Sequence, residues 1–117
     1  MRKPPLMPTA QHHVAPSILL VGARSPHEAL CRECAAHAAG ATLEICSMAE
    51  LTTRAAELRP LAIIVPSDIL AFDPSEFHAL ARTVNATLIP LRADLATEEI
   101  GDGLIGAIFE AASRRQA

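Results

Sequence analysis

The sequence has no tryptophan and no tyrosine, and its only aromatic residues are three phenylalanines, so a core organised around stacked rings is excluded. Half of the residues are hydrophobic, and the interior has to be packed from Ala, Leu, Ile and Val. Lysine occurs once, at Lys3, and the formal net charge is −3. Without clustered cations to meet a phosphate backbone, no nucleic-acid partner is expected. No apolar run approaches the ~20 residues that a membrane helix needs, and residues 1–16 lack the long apolar centre of a secretory signal. A cytoplasmic protein without a membrane partner is expected. Cysteine is scarce and odd in number: Cys31, Cys34 and Cys46 make no disulfide framework and read as buried, reduced thiols.

What is present reads as one domain, since 117 residues suffice for a single core and not for two. Residues 1–16 are rich in proline and without periodicity, which suits a flexible tail before a domain at 17–117. At the centre stands Leu-Ala-Ile-Ile-Val, residues 61–65, apolar throughout and rich in β-branched side chains, as expected of a strand covered on both faces. A first strand is expected over 17–22, closed by Gly22, and a second over 41–46. A fourth is expected over 87–91, where Pro90 cannot donate to a ladder and marks an edge.

Helices are expected between the strands. Ser25-Pro26-His27-Glu28 combines an N-cap, a proline at the first helical position and a glutamate three residues after the cap; Asp73-Pro74-Ser75-Glu76 repeats the pattern. Ser47-Met48-Ala49-Glu50 is a further capping box, whose helix stops before Pro60. The last helix, from Thr97, carries a broad apolar stripe through Ile100, Leu104, Ile105, Ile108, Phe109 and Ala112. Its Gly101, Gly103 and Gly106 each cost up to ~1 kcal/mol in helix stability relative to alanine and permit a close approach to the sheet or to a partner. Strand and helix thus alternate four times. Right-handed crossovers predict an α/β three-layer sandwich with a parallel sheet in the flavodoxin-like order 2-1-3-4.

Chemistry-bearing residues are few. Cys31-x-x-Cys34-x-x-His37 has metal-capable types, but successive steps of three around a helix turn the third away from the first. Core thiols and a surface histidine are the plainer reading. The pair also lies well inside its helix, away from the N-terminus that activates a redox Cys-x-x-Cys. His12-His13 is too short a signal for a metal site. No metal and no cofactor are expected. The C-terminal edge of the sheet should gather Arg24 and Ser25 at a helix start with Asp68 and Arg92, a place where folds of this class hold anions. Surface arginines paired with Asp68 or Asp94 are the competing reading.

The segment Ala56-Glu-Leu-Arg-Pro-Leu-Ala-Ile-Ile-Val resembles the helix, proline and central strand of the receiver domain of two-component response regulators, and the likeness extends over residues 17–93. The resemblance implies a receiver-like sandwich, and also a loss of its chemistry. Pro66 stands where the family has its phosphoaccepting aspartate. Gly22-Ala23-Arg24 stands where it has its magnesium-binding acidic pair, and Arg92 replaces the switch hydroxyl. Asp68, two positions on, is the remaining carboxylate, and without paired acids to hold magnesium a transferring phosphoryl group would go unneutralised. A capping or turn role suits it better.

The family's fifth strand, with its lysine, has no counterpart. The expectation is therefore a phosphorylation-independent pseudo-receiver without enzyme activity, working as a protein–protein interaction module in bacterial signalling. The alternative is a sensor of a small anionic ligand or nucleotide at Arg24, Ser25, Asp68 and Arg92. For the interaction module, the open fourth strand and Leu104, Ile105, Ile108 and Phe109 are expected to meet a protein partner or a second copy. The competing expectation is that the last helix folds over the open edge.

Overall fold

The apolar run at the centre of the chain becomes an inner strand of the sheet. A computed structural model describes residues 15–22 and 27–116. In chain order the elements are β1 (Ser17–Val21), α1 (His27–Ala39), β2 (Thr42–Cys46), α2 (Leu51–Leu58), β3 (Ala62–Pro66), α3 (Ser67–Leu70), α4 (Pro74–Thr83), β4 (Thr87–Leu91) and α5 (Thr97–Gln116). The four strands are parallel and ordered β2-β1-β3-β4, with Leu19 between Glu44 and Ile63, and Ile64 beside Ile89. This is the expected flavodoxin-like α/β sandwich. No fifth strand occurs among the described residues. The tail expected over 1–16 lies almost wholly outside those residues.

Alternation along the strands divides the core in two. On one face, Ile18, Leu20, Ile64 and Ile89 meet Cys31 and Ala35 of α1 and Ile100, Leu104 and Ile108 of α5. On the other, Leu19, Val21, Ile63 and Val65 meet Leu51 and Ala55 of α2 and Phe77 and Ala81 of α4. Each fully buried Leu or Ile contributes about 1.5–3 kcal/mol of transfer free energy, so the two inner strands carry much of the driving force.

Helix boundaries follow local chemistry. Asp73 caps α4 by accepting from the Glu76 N–H at 3.3 Å, with Pro74 in the first turn. Ser47 and Glu50 form the reciprocal box: the Ser47 N–H donates to Glu50 Oε1 at 3.1 Å and the Glu50 N–H to Ser47 Oγ at 3.3 Å. Regular helix nevertheless begins only at Leu51, because the box closes a turn that α2 then continues. The cap expected at Ser25 lies outside the described residues. Arg59 ends α2 in the left-handed region, at φ 49°, and returns its N–H to the Ala55 carbonyl before Pro60.

The stretch after β3 is the one-turn helix α3. Arg115 is tied by its guanidinium to backbone carbonyls at the N-terminal edge of the sheet. No described helix is long and apolar enough to cross a membrane.

Candidate functional site

The C-terminal edge of the sheet is where a fold of this order exposes loop residues to ligands. Here β1 delivers Gly22, β3 delivers Pro66 and β4 delivers Arg92. Pro66 closes β3 in an extended conformation, φ −54° and ψ 138°, and α3 starts on the next residue. Ser67 Oγ donates to the Leu91 carbonyl at 3.1 Å, joining the ends of β3 and β4. Gly22 has φ +61°, and a Cβ added there would stand 3.3 Å from Ile69 Cδ1. An apolar side chain from α3 therefore lies over Gly22 at the end of β1 and covers that point of the edge.

Of the four residues expected at this edge, Asp68 and Arg92 are described. Arg24 and Ser25 lie outside the described residues. Asp68 is exposed in the first turn of α3; Pro66 occupies the cap position and no side-chain cap bond forms there. Arg92 is exposed and held by Asp94 in a fork, Nε to Oδ1 at 3.0 Å and Nη2 to Oδ2 at 2.9 Å. These bonds keep the Asp94 carboxyl below its ordinary pKa and raise that of Arg92. The pairing of Arg92 with an aspartate is the competing reading of the sequence.

The thiols are core groups. Cys31, Cys34 and Cys46 are free and buried. Burial, and secondarily the charge of Cys34, pushes the Cys31 thiol up to about 12, so it stays protonated at neutral pH. His37 is exposed, and among the described residues no three His, Cys, Asp or Glu side chains are placed to share a metal.

The apolar stripe of α5 is divided, which corrects the expectation that Leu104, Ile105, Ile108 and Phe109 face a partner together. Leu104 and Ile108, 3% and 0% exposed, belong to the domain's own core. Ile105 is partly buried and Phe109 is 62% exposed. Nor does α5 fold over the free edge of β4. It packs chiefly beside α1 on the sheet's face, and a groove of about 220 Å³ runs along β4, lined by Pro90, Leu95, Gly103 and Ala107.

Main-chain geometry describes that free edge. The Thr87 N–H donates to the Leu61 carbonyl, so in a parallel ladder residues 87, 89 and 91 turn their backbone groups to β3. Leu88 and Pro90 turn theirs outward. Pro90 has no N–H, leaving Leu88 as the only outward donor within β4.

A second groove, of about 740 Å³, opens between α1 and α5. Leu30, Cys34 and Ile105 lie along its floor, and Glu33, Glu98 and Asp102 are among its other lining residues. Sequence reading missed this groove because its two walls are far apart in the chain. The cover of Gly22 by Ile69 was missed for the same reason, although a glycine closing a strand is a signal for positive φ. No family model matches the chain, and no curated protein and no solved structure matches it.

Proposed function

We propose that this protein is a phosphorylation-independent, receiver-like binding module of bacterial signalling or regulation, acting in the cytoplasm by docking a protein partner and performing no catalysis. The observation that carries this reading is the covered edge: Pro66 ends β3 where the resemblance calls for a phosphoaccepting aspartate, and Ile69 lies over Gly22. A phosphoryl group needs an acceptor, a metal and room, and a proline with an isoleucine beside it supplies none of them. The other reading, a sensor of small anions at the same edge, is less well supported, because Asp94 already satisfies the Arg92 fork.

The test is incubation of the full chain with acetyl phosphate and magnesium, followed by intact-mass measurement. No gain of a phosphate is expected. A phosphate adduct that disappears on Asp68→Ala would overturn the assignment.

A further inference from the structure

The groove between α1 and α5 combines two properties. Its floor is apolar, and Phe109, one turn beyond Ile105 on α5, extends that apolar surface past the end of the groove. Its carboxylates come from both walls, Glu33 from α1 and Glu98 and Asp102 from α5; His37 lines it as well, and no lysine or arginine is among its described lining residues. Burial, and next the charges of Glu33 and Asp102, hold the Cys34 thiol of this groove above its ordinary pKa. The cations on the same helices are engaged elsewhere. Arg32 is bonded to Glu28 and to the Leu43 carbonyl, Arg114 bridges to Glu110 and Thr87, and Arg115 is bonded to carbonyls beyond the far end of α5.

We propose that the α1–α5 groove is a docking site for an amphipathic helix of a partner protein whose apolar ridge is flanked by lysine or arginine. The inference rests on the binding-module reading and names its partner class. A trough between two helices takes the apolar face of a third, and side-chain charges on that third helix fix its register. The acidic wall selects against an acidic helix and against nucleic acid. A second copy is a poor occupant, because both helices that line the groove meet it with carboxylates.

The experiment uses the full chain and a fluorescein-labelled peptide of leucine and lysine patterned as an amphipathic helix, with a leucine–glutamate peptide of the same pattern as control. Anisotropy should give saturable binding of the lysine peptide that weakens with salt, and none of the control. Amide shifts should move at Gly101, Ile105 and the facing turn of α1. Glu33→Lys with Asp102→Lys, both at exposed positions, should weaken binding about tenfold or more, and Ile105→Glu should abolish it. Equal binding of the two peptides, indifference to the charge reversal, or shifts confined to another face would overturn the proposal. Those results would leave the acetyl phosphate outcome standing, so the groove and the module reading fail separately.

Discussion

Arg115, near the end of α5, donates from Nη2 to the Pro60 carbonyl at 2.8 Å. The same nitrogen donates to the Asn85 carbonyl at 2.9 Å, and Nε reaches that oxygen at 3.2 Å. Pro60 lies between α2 and β3, and Asn85 between α4 and β4. One guanidinium thus ties together the last helix and two helix-to-strand connections. Both connections contain a non-glycine residue in the left-handed region, Arg59 and Asn85, and a cation beside these helix ends complements their unpaired carbonyls.

Arg115→Ala should therefore lower stability by about 1.5–3 kcal/mol, the range for hydrogen bonds that involve a charged group. Urea unfolding would register a lower midpoint at an unchanged slope. Arg115→Lys should recover less than half of the loss, since a lysine lacks the planar fork that reaches both carbonyls. An unchanged midpoint in the alanine variant would remove the tie from the account of the fold.

At the opposite edge, Gly22→Ala should cost about 1–2 kcal/mol, because an L-residue is disfavoured at φ +61°. The new methyl also presses on Ile69. In an Ile69→Ala background the glycine substitution should cost less, since the contact is gone and only the backbone term remains. Equal losses in the two backgrounds would mean that Ile69 does not cover Gly22.

Pro90 has a different consequence. Pro90→Val gives the free edge of β4 a second outward N–H, completing a short row on which another chain can pair. The variant is expected to self-associate at concentrations where the parent remains monodisperse by sedimentation velocity. Identical sedimentation of the two would show that the missing donor does not protect the edge.

Glu50 provides a pH readout. Hydrogen bonds from the Ser47 N–H, and next from its hydroxyl, hold the Glu50 carboxyl below the ordinary carboxylate pKa. A depressed folded pKa means that the capping box stabilises the protein fully above the unfolded carboxylate range, and that this is lost as pH falls through the depressed value. Ser47→Ala should raise the Glu50 midpoint in a carbon-detected NMR titration only part of the way, because the backbone donor remains. A midpoint unmoved by the substitution would assign the whole shift to the main chain.

Much of the fold was legible because its signals are local. The run at 61–65, the caps at Ser47 and Asp73 and the proline in β4 each act within a few residues, and the strand order is the one common among doubly wound folds with right-handed crossovers. The one-turn α3 left no periodic trace, since four residues cannot display a helical repeat. The stripe of α5 was visible, but which part of it meets the sheet was not. Leu104 and Ile105 are equally apolar, and only packing beside α1 makes the first part of the core and the second part of the groove. Of the candidate site, the pairing of Arg92 with Asp94 was readable at two residues' distance. The lid of Ile69 over Gly22 and the α1–α5 groove needed the tertiary arrangement.

The place of α5 in the chain order bears on how the protein is made. All four strands precede Ile100, Leu104 and Ile108 in the chain, so one face of the sheet has only the α1 part of its cover until α5 joins it. Until α5 joins them, Ile64 and Ile89 lack the neighbours Ile100, Leu104 and Ile108, and that part of the apolar face is exposed to other chains.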